Sequence, residues 1–146
     1  MIEGQKAAFN FVNFRVPDFS YTESDNPDIT IKFDPSGKYY PEKGEFEVNL
    51  VFKGYSVTKP DYQIIHVSSI GYFKFTPGLP FAEIPSFFYK NSIAIMFPYL
   101  RSFISTLTLQ SNTGLIVLKI MNLTNLEETF KSQSICIDID DRPKVN

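Results

Sequence analysis

The sequence predicts an α+β domain in which a four-stranded antiparallel sheet carries a long helix and a short C-terminal helix on one face. Two observations lead to this fold class. Apolar and polar residues alternate along segments of the first half, most clearly from Glu45 to Val57, as in strands with one buried face. Apolar residues recur at three- and four-residue spacing behind Pro98, as on one face of a helix. The order of elements, β-β-β-β-α-β-α, favours an antiparallel sheet with helices packed on one side.

Four strands are predicted in the first half of the chain. They run from Ala8 to Tyr21, from Ile29 to Phe33, from Glu45 to Val57 and from Tyr62 to Phe75. The second strand is expected to end at a turn over Asp34–Gly37, because Asp-Pro-Ser-Gly is a turn-forming combination. The connection between the last two strands is too short for a parallel crossover, so we expect antiparallel pairing.

The long helix is predicted within the stretch from Asn91 to Asn112. Proline suits the first turn of a helix, where its missing N–H would be unpaired anyway, so the helix is expected to begin near Pro98. Its apolar stripe consists of Tyr99, Leu100, Phe103, Ile104 and Leu107. The opposite side carries Arg101, Ser102, Ser105 and Thr106. We expect that polar side to face water or a polar partner.

The remaining C-terminal part is predicted to contain a strand from Leu115 to Met121 and then a short helix that ends near Gln133. Thr124 and Glu127 have the spacing of a capping box at the start of this helix. Residues 134–146 return to strand-like alternation, which indicates a divergent tail or an extra strand. We interpret residues 1–146 as a single domain.

The composition is that of a folded soluble protein with many aromatic residues. The chain is 43% hydrophobic, has 15 Phe, 8 Tyr and no Trp, and carries a net charge of -2. It lacks the clustered basic face that a nucleic-acid partner requires. The N-terminus does not resemble a signal peptide, and no stretch approaches the ~18 uninterrupted apolar residues of a membrane span, so we expect a cytoplasmic protein. The apolar faces either bury one another or leave a groove between sheet and helix.

No constellation of residues indicates an enzyme. His66 is the only histidine and has no nucleophile or carboxylate motif arranged around it in sequence. Cys136 is the only cysteine, which excludes an internal disulfide and a cysteine metal cluster. Asp138, Asp140 and Asp141 lack the glycine and the distal glutamate of a calcium loop. We therefore expect no catalytic residues, no metal and no cofactor.

The helix segment resembles a known family. The run from Ile93 to Arg101, Ile-Ala-Ile-Met-Phe-Pro-Tyr-Leu-Arg, is similar to the signature region of the SecB family of bacterial protein-export chaperones and their relatives. The segment from Pro27 to Asp34 resembles the crossover segment of that family, and Gly71–Phe73 resembles the end of a family strand. The order of elements agrees from about Phe9 to Phe130.

The resemblance implies an ATP-independent chaperone that holds unfolded polypeptides in apolar grooves and assembles as a homotetramer or homodimer. The implied polypeptide-binding residues are Ile29, Ile31, Phe33, Ile65 and Val67. The main helix would lie at the oligomer interface, with Tyr99, Leu100, Phe103 and Leu107. In the family, clients pass to the translocase motor SecA, whose docking surface would correspond to Asp18 and Ile64 here.

The departures from the family leave three functions open. Thr22 and His66 stand where the SecA-binding surface would have acidic residues, and the tail also differs. These departures weaken the SecA partnership more than polypeptide binding. They suit a SecB-like chaperone dedicated to one partner, such as the antitoxin of a toxin–antitoxin system. The third alternative is a small-ligand or lipid-binding domain that uses the sheet–helix cleft, with His66 as its polar anchor.

Overall fold

The computed structural model describes residues 8–24, 28–114, 116, 118, 123–139 and 142. Within them the chain forms five strands and two α-helices. In chain order these are β1 (Asn10–Tyr21), β2 (Ile29–Tyr40), β3 (Glu45–Ser56), β4 (Gln63–Lys74), α1 (Ser86–Gln110), α2 (Glu127–Ser132) and β5 (Ser134–Cys136). The α+β class with one long and one short helix is confirmed.

The sheet is five-stranded and mixed, so the predicted four-stranded antiparallel sheet is corrected. Its strand order is β1-β4-β3-β2-β5. The pairs β1–β4, β4–β3 and β3–β2 are antiparallel, whereas β5 runs parallel to β2. The fifth strand comes from the tail and pairs with Gly37–Tyr39 only. Three residues give too short an alternation to fix a partner or a direction from sequence.

β2 continues to Tyr40, straight through the turn that the sequence predicts at Asp34–Gly37. Proline is tolerated in strands with an open side, and β5 borders β2 only from Gly37 onward. A Cβ atom on Gly37 would lie 2.5 Å from the Phe46 ring and 2.9 Å from the Phe130 ring. This glycine therefore permits the close approach of α2 to the sheet and does not form a turn.

α1 begins at Ser86, directly after Pro85, and Pro98 lies inside it. The prediction that Pro98 opens the helix is wrong. A proline inside a helix costs about 3 kcal/mol, because it removes a backbone hydrogen bond and crowds the preceding turn. The burial of apolar side chains such as Phe88 and Met96 against the sheet offsets this cost. A Cβ atom on Gly71 of β4 would lie 2.7 Å from Met96 Sδ, so the glycine admits the helix.

An aromatic cluster fixes both helices on the same face of the sheet. The ring of Phe88 on α1 lies 4.7 Å from the ring of Phe46 on β3 and 5.0 Å from Phe75. Phe130 of α2 packs 5.9 Å from the same Phe46 ring. Such pairs add about 0.5–1.5 kcal/mol each beyond their buried area. By length and composition alone α1 would suffice to cross a membrane, as core helices of soluble proteins also do. Here its inward side packs on the sheet.

The predicted elements after α1 are only partly described. Ile116 and Leu118 are not in a strand, and the other residues of the predicted strand Leu115–Met121 lie outside the described residues. A 3-10 turn over Thr124–Leu126 precedes α2, and Leu126 occupies the N-cap position. Thr124 is therefore not the N-cap of this helix, although the helix itself was predicted.

Candidate functional site

α1 divides the apolar face of the sheet into two strips of partly exposed side chains. The β1 strip comprises Phe11, Phe14 and Phe19 on β1 with Tyr99 and Phe103 on α1. The β2 strip comprises Ile29, Ile31 and Phe33 on β2, with the buried ring of Phe97 on α1 behind it. Between the strips, Met96, Leu100 and Ile104 of α1 are fully buried.

The β1 strip is a row of aromatic rings along an outer strand of the sheet. The Tyr99 ring lies 5.4 Å from the rings of Phe11 and Phe14, and the Phe103 ring lies 5.2 Å from Phe19. Phe19 and Tyr99 are still 50% and 49% exposed. Among the described residues β1 pairs with β4 alone, so its other side carries unpaired backbone groups. Exposed rings beside an open strand edge are typical of a surface that another polypeptide covers.

The β2 strip is smaller and less exposed to solvent than the β1 strip. Phe33 packs 5.5 Å from the Phe52 ring of the core and 6.2 Å from Phe97 of α1. Ile29 and Ile31 continue the row on the same face of β2, and both are half-buried. Each side chain thus has one side in the core and one side toward solvent, as in a shallow binding groove.

Two further features shape the β2 strip. A Cβ atom on Gly54 of β3 would lie 2.6 Å from Ile65 Cγ2 and 3.0 Å from Ile29 Cδ1, so this glycine makes room for both side chains. On the helix side, the guanidinium of Arg101 lies 6.0 Å from the centre of the Phe97 ring. In the part of the chain that the structure describes, no carboxylate pairs with Arg101. A cation therefore stands beside the apolar strip.

The chain that follows α1 returns along the same helix. The backbone N–H of Ile116 donates to Thr108 Oγ1 at 2.9 Å, and Ser105 Oγ donates to the Ile116 carbonyl at 3.3 Å. Tyr21 Oη and Thr113 Oγ1 share a hydrogen bond of 2.7 Å, which ties the end of α1 to β1. Ser105 was expected to face water or a partner surface. It instead holds this returning segment.

The structure separates the five predicted polypeptide-binding residues into two groups. Ile29, Ile31 and Phe33 are partly exposed on β2. Ile65 and Val67 point to the same face of the sheet but are completely buried in the core. Only the first three can touch a bound polypeptide in this conformation. The other two support them from below.

The predicted interface residues of α1 divide in the same way. Tyr99 is half-exposed, and Phe103 and Leu107 are partly exposed. Leu100 is 0% exposed and faces the sheet. Leu100 is therefore a core residue of the single chain, because the apolar stripe is wider than the buried face.

The two predicted SecA contacts do not form a common surface. Asp18 is exposed on the outer face of the sheet, away from α1, whereas Ile64 is buried. His66 also lies on the outer face, with Nδ1 3.7 Å from Asp18 Oδ2. Its strand neighbours Ile65 and Val67 point inward, and side chains alternate along a strand. His66 cannot anchor a ligand in the sheet–helix cleft, so that alternative loses its polar group.

Reactive chemistry has little support in the described residues. They contain no group of three or more His, Cys, Asp or Glu side chains that could hold a metal ion. Burial raises the pKa of the Cys136 thiol, and the neighbouring Asp138 carboxylate raises it further. A raised pKa lowers the thiolate fraction and makes the thiol a weak nucleophile. Asp140 and Asp141, considered above for calcium, lie outside the described residues.

The sequence interpretation missed the β1 strip. Phe11, Phe14 and Phe19 were placed in a strand but were not assigned to a surface. The only signal in the sequence was the density of Phe in one predicted strand. The two register shifts that bring all three rings to the face under α1 are seen only in the structure. Their contact with Tyr99 and Phe103 depends on the angle at which α1 crosses the sheet, and no local pattern encodes that angle.

Comparisons with protein-family models and with curated proteins find no match. Solved structures do match. The SecB-like chaperone Rv1957 of Mycobacterium tuberculosis, solved in complex with a ChAD peptide from the HigA1 antitoxin, superposes with a TM-score of 0.62. The alignment has 14% sequence identity and covers 78% of this chain and 91% of that chain. The fold is SecB-like.

A second solved structure, a Streptococcus agalactiae protein of unknown function, gives a TM-score of 0.45 at 10% identity. That alignment covers 77% of this chain and 98% of the streptococcal one. The SecB-like fold agrees with the resemblance in sequence in its four successive antiparallel strands followed by a long helix. At 14% identity the likeness to Rv1957 concerns the fold.

Proposed function

We propose that this protein is an ATP-independent, cytoplasmic holding chaperone that binds non-native polypeptides on the β2 strip. The observation that carries the proposal is the SecB-like fold combined with apolar side chains left partly exposed on both sides of α1. Their exposure supports a surface that exchanges water for the apolar residues of another chain.

The energetics of the β2 strip suit a client of loosely defined sequence. Each apolar client side chain that becomes buried contributes about 1.5–3 kcal/mol. Ile29, Ile31 and Phe33 together offer contacts for a few such side chains, at two-residue spacing along one strand. Affinity for the unfolded chain draws it away from aggregation by mass action, and this needs no nucleotide.

Assembly through the β1 strip would extend this surface. Phe19 and Tyr99 are half-exposed, and the same strip on a second copy could cover both rings in a symmetric contact. The proposed assembly is a homodimer or a homotetramer. Several β2 strips on one assembly would bind one long client at several points, which raises avidity.

The test is suppression of aggregation of a chemically unfolded protein without nucleotide, with the mass of the chaperone measured by light scattering. We expect suppression at near-stoichiometric ratios by an assembly larger than one 16.7 kDa chain. Suppression that requires ATP, or no suppression of any of several unrelated unfolded proteins, would contradict a general holding chaperone.

The second candidate is a chaperone dedicated to one partner, such as an antitoxin. It is favoured by the mycobacterial structure, in which a SecB-like chaperone is bound to an antitoxin peptide. It is also favoured by the absence of a common surface at Asp18 and Ile64, which leaves handover to SecA without support. The ChAD peptide of HigA1 is a suitable probe. Tight binding of that peptide without suppression of general aggregation would favour the dedicated chaperone.

A further inference from the structure

A pocket of about 550 Å³ lies on the outer face of the sheet, on the opposite side from both apolar strips. It is lined mainly by Val12, Asn13, Arg15, Glu45, Tyr72 and Lys74. The register shift between Phe11 and Asn13 forms one side of it, because the bulge lifts β1 out of line with β4. Neither the apolar strips nor the proposed chaperone function uses these residues.

Tyr72 orients Arg15, whose two terminal nitrogens form no hydrogen bond with the residues that the structure describes. Its Nε donates a hydrogen bond to Tyr72 Oη at 3.0 Å, and its guanidinium carbon lies 5.7 Å from the centre of the Tyr72 ring. The two terminal nitrogens therefore remain available in a fixed plane. A guanidinium presented in this way suits the two oxygens of a carboxylate.

Two further donors line the pocket, from Asn13 and Lys74. Asn13 Oδ1 already accepts the backbone N–H of Phe14 at 2.9 Å, which leaves its amide nitrogen as a donor. The carboxylate of Glu45 is engaged by Arg142. Lys74 forms no ion pair with any residue that the structure describes. Arg15, Asn13 and Lys74 thus offer three donors, two of them cations, beside a Glu45 carboxylate whose charge Arg142 offsets.

We propose that this pocket binds an acidic side chain of a partner polypeptide, with its carboxylate between Arg15 and Lys74. A single carboxylate fills only a small part of the volume, so a free small anion would leave most of the pocket to water. Val12 is 62% exposed at the rim and offers an apolar contact to the residue beside the acidic one. The partner segment is therefore acidic with apolar neighbours.

The test is calorimetric titration of the full chain with the peptide acetyl-Glu-Leu-Glu-Leu-amide. The comparison ligands are acetyl-Gln-Leu-Gln-Leu-amide and glutarate. We expect the Gln peptide and glutarate each to bind at least about tenfold more weakly than the Glu peptide, because one lacks the charge and the other the apolar contact. Arg15→Gln should weaken the Glu peptide by about tenfold. Lys74→Gln should weaken it less, since an ammonium makes a less directional contact.

Matched variants make the outcome decisive. Lys90→Gln removes an exposed cation from α1, on the other side of the sheet, and should leave the affinity unchanged. Equal affinity for the Glu and Gln peptides would contradict binding of a carboxylate in this pocket. Full affinity of both Arg15→Gln and Lys74→Gln for the Glu peptide would contradict it as well. If glutarate binds as tightly as the Glu peptide, the ligand is a small anion and not a segment of a polypeptide. Chaperone activity, measured by aggregation, depends on the other face and can fail or succeed independently of this result.

Discussion

The β1 strip and the β2 strip flank the same helix but differ in exposure and in chemistry. The β1 strip is entirely aromatic, and two of its rings are half-exposed beside a strand that pairs with β4 alone among the described residues. The β2 strip combines two isoleucines with one partly exposed ring, Phe33, is less exposed, and lies on a strand that β5 partly borders. Rigid rings suit a fixed contact with a second copy, whereas aliphatic side chains adapt to varied segments.

The difference arises on α1 itself. Tyr99 and Phe103 project toward β1, whereas Phe97 and Arg101 lie on the side of β2. The chain that returns after α1 is bonded to this helix through Thr108, which shields part of it from solvent. One helix thus provides an aromatic surface on one side and a shallow, cation-flanked surface on the other. The two sides can therefore be tested separately.

The largest effect is expected from the residue that lies between the strips. Leu100→Asp places a carboxylate at a position with no exposure, and the cost of burying an unpaired charge adds to the lost apolar contacts. We expect a loss of at least about 4 kcal/mol of unfolding free energy, seen as the loss of a cooperative thermal transition by circular dichroism. Tyr99→Asp, one residue earlier but half-exposed, should still melt cooperatively. Similar melting of both variants would show that Leu100 is not in the core.

The next effect is on assembly. Phe103→Asp introduces a charge into the β1 strip, where Phe103 meets Phe19, and like charges on two copies would repel each other at a symmetric contact. We expect the mass by light scattering to fall toward that of one 16.7 kDa chain while the chain remains folded. Ser102→Asp adds the same charge on the exposed side of α1 and should leave the assembly intact. An unchanged mass for Phe103→Asp would exclude the β1 strip as the interface.

The third effect is on client affinity. Ile31→Asp removes one apolar contact from the β2 strip, and we expect client affinity to fall by about tenfold with a loss of only about 1 kcal/mol in stability. Because the chain has no Trp, the fluorescence of a Trp-containing unfolded client reports binding directly. Thr30→Asp on the opposite face of β2 is the matched control. A large loss of stability would instead place Ile31 in the ordinary core, and unchanged affinity would remove the β2 strip from the proposed site.

The fold was predictable from the sequence where the type of each residue, apolar or polar, matches its burial in the structure. The alternation of β3 predicted the buried row of Phe46, Val48, Leu50 and Phe52, because every second side chain faces the helix. The start of α1 was not predictable in the same way, since Pro98 is a start signal by type and an interior residue by context. The turn expected at Asp34–Gly37 failed for a similar reason. Gly37 serves a close contact with α2, which is distant in sequence.

The candidate site was predictable only in part. The three β2 residues follow from the resemblance and from alternation. The burial of Ile65 and Val67 depends on the position of α1 above them, and the local alternation is the same for buried and half-buried positions. The β1 strip and the outer pocket both require residues far apart in sequence to meet. Arg15 and Tyr72, for example, are brought together by the β1–β4 pairing.

The smallest effect concerns the edge that distinguishes β2 from β1. β5 covers Gly37–Tyr39, and beyond it Arg142 forms ion pairs with Glu45 and Glu47 and lies 3.6 Å over the centre of the Tyr40 ring. Partly exposed ion pairs contribute at most about 1 kcal/mol each, so Arg142→Ala should lower overall stability only slightly. Its main consequence should be more frequent opening of β5. The edge of β2 would then be exposed more often, as the edge of β1 already is.

Cys136 in β5 reports this opening without any label. Burial and Asp138 raise the pKa of its thiol, so alkylation at pH 8 is slow while β5 is paired with β2. When β5 opens, the thiol pKa returns toward its ordinary value and alkylation becomes faster. We expect Arg142→Ala to raise the alkylation rate by about threefold, and high salt to raise the rate of the wild type, because screening weakens the ion pairs. Arg142→Lys keeps the charge but loses the flat contact with Tyr40, so its alkylation rate should lie between those of the wild type and Arg142→Ala. Lys59→Ala, on an exposed loop, should match the wild type. An alkylation rate in Arg142→Ala equal to that of the wild type would mean that the pairing with β2 alone keeps this edge of the sheet closed.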